Sequence, residues 1–135
     1  MSSLSPLALV LEWQDAANQQ DSDRLAELST PDIEVVGPRG SGHGRQLLRE
    51  WLARAGLHLT TVRAFARDDR DDVVVLAQRG VWRSVETGAA TGERDLASRF
   101  RVDGQQVAQF ARYDSLDLAL AEAGLQEADE LPLST

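Results

Sequence analysis

The chain has 135 residues, 42% of them hydrophobic and 27% charged, which supplies one core of ordinary size and leaves no room for a second. A formal net charge of −8 opposes phosphate backbones and anionic membrane surfaces, so neither nucleic acid nor a membrane is an expected partner. Cysteine is absent and all fourteen basic residues are arginine, which excludes disulfides, thiolate nucleophiles, thiolate metal sites and Schiff bases on a side-chain amine.

Ser5 followed by Pro6 predicts a helix start, and Leu7, Val10, Leu11, Gln14 and Ala17 fall on one stripe of a helix running to about Gln19. The apolar stretch Leu7 to Leu11 is too short to span a bilayer, and the first residues lack the order of a signal peptide, so a cytoplasmic location is expected. Asp21 caps a second short helix with Leu25 and Leu28 on one side, and Pro31 stops it before a strand at Ile33 to Val36. Gly37 to Gly44 holds four glycines in eight residues and predicts a wrapped loop. A third helix then carries Leu47, Leu48, Trp51, Leu52 and Ala55 on one face and stops at Gly56.

From His58 the hydrophobic period changes to two, with strands at about 58–67, 73–82, 94–102 and 105–113. Their turns are Asp68 to Asp72, Thr87 to Glu93, and Asp103-Gly104, the last a tight-hairpin signal. Asp114 or Ser115 caps a final helix with Leu116, Ala119, Leu120 and Ala123, ended by Gly124. Residues 1–125 are therefore expected to form a single domain and residues 126–135 a flexible acidic tail.

Helices first and a long antiparallel meander afterwards predict an α+β domain, a curved antiparallel or mixed sheet covered on its concave face by the amino-terminal helices. The strand at 73–82 places Val73, Val75 and Val81 on one side and Val74, Leu76 and Trp82 on the other. Apolar groups facing both ways predict a homodimer through the outer sheet face.

Four segments in order carry a resemblance. They are Trp13 to Leu28 with Asn18 and Asp21, the strand and loop Glu34-Val35-Val36-Gly37-Pro38-Arg39-Gly40, the helix Arg49-Glu50-Trp51-Leu52, and Arg112-Tyr113-Asp114-Ser115-Leu116. Over residues 5–125 the chain resembles the superfamily of nuclear transport factor two, SnoaL-type polyketide cyclases, limonene epoxide hydrolase and ketosteroid isomerase, most closely its SnoaL-like branch. The resemblance implies a cystatin-like cone with a pocket between the concave sheet face and the helices, whose lining decides the chemistry. Ketosteroid isomerases place an aspartate base, a tyrosine and a protonated aspartate at positions that here hold Gly37, Trp13 and Ser98. Glycine moves no proton and an indole has no acidic hydroxyl, so isomerase chemistry is not expected. The Asp-Arg-Asp set of limonene epoxide hydrolases is also not recoverable, since the strands carrying Gln78 and Ser98 show no inward carboxylate. SnoaL-type cyclases use a histidine and an aspartate beside a carbonyl, whereas this chain offers only His43 and His58.

An inward Ser98 takes Leu96, Phe100 and Val102 with it, matched on the neighbouring strand by Leu76, Gln78, Gly80 and Trp82, with Gly80 expected to leave open space. Gln78 and Ser98 are polar groups on an apolar face, so they either fix a ligand or bond each other directly or through water. Trp13, Trp51 and Trp82 each bring one N–H donor, to a packed core or to a pocket wall. Arg112 and Tyr113 have opposite parity, and an inward Arg112 needs a carboxylate from Glu34 or from an acidic ligand. His43 in the glycine loop is the best acid–base candidate, His58 reads as structural, and the two together make no metal signature. The expected function is binding of a largely apolar small molecule by Trp13, Trp51, Leu76, Gln78, Trp82, Ser98, Phe100 and Arg112, without cofactor or metal. Two further readings are a cyclase, dehydratase or isomerase-type enzyme using His43 with Glu34 or Arg112, and a dimeric interaction module with a filled pocket.

Overall fold

The structure, a computed structural model, describes residues 5–37, 40–67, 70–84 and 86–132. Capping chemistry sets the helix ends. Helix α1 (Pro6–Asn18) opens where Ser5 Oγ accepts from the Ala8 amide, and α2 (Ser22–Glu27) opens where Asp21 Oδ1 accepts from the Arg24 amide. Helix α3 (Arg45–Ala55) ends at Gly56 in the left-handed conformation, and α4 (Leu116–Ala123) starts on the Ser115 side chain and ends at Gly124.

Seven strands, β1 (Ser29–Gly37), β2 (Gly40–His43), β3 (Leu57–Arg67), β4 (Arg70–Arg83), β5 (Ala90–Asp103), β6 (Gln106–Tyr113) and β7 (Glu130–Leu131), form one sheet in the order β2-β1-β6-β5-β4-β3-β7. Every described pairing is antiparallel except β1 with β6. The expected meander is β3 to β6, and Asp103 pairs with Gln106 across the tight turn that Asp103-Gly104 predicts.

Two departures from the sequence reading have physical causes. Strand β1 starts at Ser29, upstream of Ile33, and runs through Pro31; its register against β6 shifts between Ser29 and Glu34, so the residue without an amide N–H sits where the ladder is interrupted. The glycine-rich stretch expected as a loop folds back as β2, pairing Val35 with Gly42 and Gly37 with Gly40. A ladder is made by backbone groups, and Gly40 at φ 133° takes a conformation open to glycine.

On the concave face, α1, α2 and α3 bury Leu9, Val10, Trp13, Leu25, Leu48 and Leu52 against Ile33, Val74, Leu76, Phe100 and Phe110. The outer face is covered by α4, where Ala119, Leu120 and Ala123 pack with Phe65, Val73, Val75 and Ala97, and Tyr113 and Leu116 close the cluster. Val73 and Val75, two of the side chains from which a dimer was expected, are thus buried by the chain's own last helix, which could not be assigned to a face from periodicity. No helix among the described residues is long and apolar enough to cross a membrane.

Beyond α4, Glu127–Asp129 makes one 3-10 turn and β7 pairs with Ala64 and Phe65 of β3. Arg63 donates to Glu130 at 2.9 and 3.0 Å and to Glu127, and these bonds hold the Glu130 carboxyl below its ordinary pKa. Backbone pairing of β7 and the ion pairs of Arg63 with Glu127 and Glu130 thus join part of the stretch expected as a tail to the sheet edge. Farther along that edge, the Asn18 side chain donates to Leu59 O (2.7 Å) and accepts from the Leu59 amide (2.8 Å).

Candidate functional site

Gln78 and Ser98 face inward as the two-residue period predicts, with Leu76 opposite Ser98 and Gln78 opposite Leu96. They do not face a hollow. Gln78 is 1% exposed, and Ser98, Trp13, Leu76 and Phe100 are fully buried. Their polar atoms are used within the protein: Ser98 Oγ donates to Gln78 Oε1 (2.6 Å), Gln78 Nε2 to Gln14 Oε1 (2.6 Å), and Gln14 Nε2 to Thr61 Oγ1 (2.9 Å). Trp13 likewise donates its indole N–H to Ser29 Oγ at 2.9 Å and packs on Phe100 and Phe110 with ring centroids 5.5 and 5.0 Å away. The space expected at Gly80 is occupied: a Cβ there would lie 3.0 Å from Leu96 Cδ1 and 3.2 Å from Leu57 Cδ1.

An open volume lies instead beside the β1–β2 hairpin, a cleft of about 580 Å³ walled among the described residues by Val35, Val36, Gly37, Gly40, Ser41, Gly42, Leu47, Trp51, Phe110 and Arg112. Its room comes from the β1–β2 hairpin. A Cβ on Gly37 or Gly40 would meet nothing within 4 Å, while one on Gly42 would lie 2.4 Å from Leu47 Cδ2, so glycine there admits Leu47 to the wall. Of the eight ligand residues predicted, Trp51 and Arg112 line the cleft. Trp13, Leu76, Gln78, Ser98 and Phe100 belong to the packed interior, and Trp82 packs with Leu57, Leu59 and Leu96.

His43 is not in the cleft. It pairs with Glu34, which pairs with Gln109, and alternation puts all three on the sheet face opposite Gly42, Val35 and Phe110. There His43 Nε2 lies 3.8 Å from Glu34 Oε2, the His43 side chain is 64% exposed, and Gln109 Nε2 donates to Glu34 Oε1 at 2.6 Å. The expected pairing of His43 with Glu34 thus forms on the far side of the sheet from the open volume. Among the described residues, the cleft wall holds no carboxylate, histidine or tyrosine, and no group of three His, Cys, Asp or Glu could hold a metal ion.

The register of β6 decides the parity of its end: Arg112 lies opposite Ser98 and faces inward, while Tyr113 lies opposite Ala97 and packs outward under α4. The Arg112 guanidinium carbon sits 5.7 Å from the centroid of the Trp82 ring. Its Nε is buried with no hydrogen-bond partner. Burial pulls its pKa below the ordinary arginine value, opposed by Asp114 and reinforced by Arg94. Asp114 is itself engaged, 3.4 Å from Arg94.

Sequence reasoning missed Val35, Val36, Gly37, Gly40, Ser41, Gly42, Leu47 and Phe110 as cleft residues. Their signal was the alternation of Gly37, Gly40 and Gly42 around a two-residue break, which suits a strand facing a void as well as it suits a loop.

Residues 10–110 match the SnoaL-like domain family. No curated protein matches the chain. Among solved structures it is similar to an NTF2-like protein of unknown function from Cytophaga hutchinsonii ATCC 33406, at 13% identity and TM-score 0.69 over 87% of this chain and 96% of that one. It is similar as well to SalBIII, an epoxide hydrolase/cyclase-like enzyme of pyran ring formation in polyether salinomycin (14% identity, TM-score 0.70, 83% and 92% covered). A third is a protein with a ketosteroid isomerase-like fold from Catenulispora acidiphila DSM 44928, in complex with trimethylamine (25% identity, TM-score 0.63, 92% and 97% covered). With well over half of its length matched, and with helices roofing a curved seven-stranded sheet, the chain belongs to the SnoaL-like domain family.

Proposed function

We propose that the chain binds a small organic molecule with a flat, largely apolar body in the cleft between the β1–β2 hairpin, α3 and β6. One observation carries this: about 580 Å³ of open volume walled by Trp51, Phe110, Leu47 and Val35 and floored by glycines without side chains. The aromatic walls are held in place from behind, since Trp51 stacks on Trp13 at 6.5 Å and Phe110 packs on both indoles. The Catenulispora protein, of similar fold and in complex with trimethylamine, supports small-molecule binding. The lining favours binding over acid–base turnover, because its ionisable group among the described residues is an arginine, which stays protonated at neutral pH.

The test is a panel of planar polycyclic, terpenoid and steroid molecules scored by tryptophan emission and by melting temperature. Trp51 forms part of the wall, so a ligand that enters shifts its emission, and saturating ligand raises the melting temperature by mass action. A panel in which nothing moves either observable overturns the proposal.

A further inference from the structure

We infer that the ligand of this cleft is an anion, a planar apolar body ending in a carboxylate or comparably acidic oxygen, which Arg112 grips at the wall. The inference deepens the proposal of small-molecule binding and rests on it.

The chain has 22 acidic residues to 14 basic ones, so carboxylates are in surplus. Most of its described arginines have an acceptor. Arg24 bonds Glu12, Arg45 bonds Ser29 O, Arg63 bonds Glu127 and Glu130, and Arg79 bonds Glu93 and Asp95. Arg94 faces Asp114, and even Arg99 donates to Glu122 O. Arg112 is half-buried, lines the open volume, and has no hydrogen-bond or ion-pair partner among the described residues. Neither nearby carboxylate makes an ion pair with it: Glu34 lies on the opposite sheet face bonded to Gln109, and Asp114, whose charge acts on Arg112, pairs with Arg94. A half-desolvated cation without a hydrogen-bonded acceptor is costly to keep, and an acidic ligand supplies what is missing.

Geometry fixes how such a ligand lies. The Trp82 ring covers a face of the guanidinium, and a guanidinium stacked on a ring keeps its N–H edge for a two-pronged bond to a carboxylate. Phe110 stands two residues earlier on the same inward face of β6, so one strand offers the anion grip and the ring contact side by side. The body then extends over Phe110 and Trp51 toward Gly37 and Gly40, two wall positions that carry no side chain.

The experiment compares 2-naphthoate with 2-naphthamide, its neutral isostere, by titration calorimetry on the full chain, the Arg112→Met variant and the Arg112→Lys variant. The wild type is expected to bind the acid about tenfold or more tighter than the amide. Arg112→Met removes the preference, bringing the acid's affinity down to the level of the amide's, and Arg112→Lys retains part of it, since an ammonium keeps the charge without the planar fork. Equal binding of acid and amide by the wild type, or a preference that survives Arg112→Met, overturns the inference while leaving the cleft proposal standing. Failure of both molecules to bind overturns the inference, and the ligand panel then decides the cleft proposal. Should Arg112→Met not fold, the acid-to-amide ratio of the wild type decides alone.

Discussion

Ser98 and Arg112 sit directly across from each other on adjacent strands, on the same face of the same sheet, and their surroundings differ in how their polar groups are answered. At Ser98 the polar groups close into a chain running through Gln78 and Gln14 to Thr61. At Arg112 the guanidinium has no acceptor among the described residues. A buried polar group whose partners are all supplied by the protein is structural, however well placed it looks for a ligand. One that the fold leaves unanswered beside an open volume is a functional candidate, and hydrogen-bond accounting distinguishes the two where side-chain type does not.

The contrast can be broken most forcefully at Gln78. Gln78→Leu keeps the volume and removes both bonds, leaving the Ser98 hydroxyl and the Gln14 amide short of a partner inside the core. It is expected to cost about 3 kcal/mol in urea unfolding with ligand affinity unaltered. A stable variant with altered affinity would place Gln78 in the binding site after all. Arg112→Met is expected to do the opposite: the unliganded protein gains up to about 1 kcal/mol by losing an unanswered cation, and its selectivity for acids goes. A clear loss of stability in that variant would show that Arg112 has a partner within the fold. The smallest stability effect is expected at Gly42. The added methyl of Gly42→Ala meets the far end of the flexible Leu47 side chain, which can rotate aside. Stability should fall by less than about 1 kcal/mol, while Leu47 narrows the cleft and weakens 2-naphthamide measurably. Unchanged amide binding would mean that this stretch of wall does not touch the ligand.

Much of the fold was legible because its signals are local. Ser5, Asp21, Ser115, Gly56 and Gly124 mark helix ends by chemistry that needs no tertiary context, and strand period puts Leu76 with Gln78, and Ser98 with Phe100, on a shared face, which the family resemblance turns inward. The site was less legible because it depends on distant pairs. Gln78 finds its partner on Gln14, 64 positions earlier, so period could give the direction of the side chain and not what it would meet. Arg112 and Tyr113 are equivalent until the register with Ser98 and Ala97 separates them. Strand β2 left no side-chain period to read, since two of its four residues are glycine and its pairing is made by backbone atoms. Helix α4 was found in place, but which face of the sheet it covers is set by the chain's path after β6.

The bonds between Asn18 and Leu59 have a consequence for how copies of this molecule behave in a crowd. Strand β3 would otherwise offer a long rim of unsatisfied amides, the template on which chains stack into fibrils. A side-chain amide answers that rim at Leu59 as a neighbouring peptide would, two residues of β7 answer it at Ala64 and Phe65, and between them the register slips near Val62. An incoming strand meets no uninterrupted row to copy, so one asparagine on the first helix helps keep a β-rich protein dispersed.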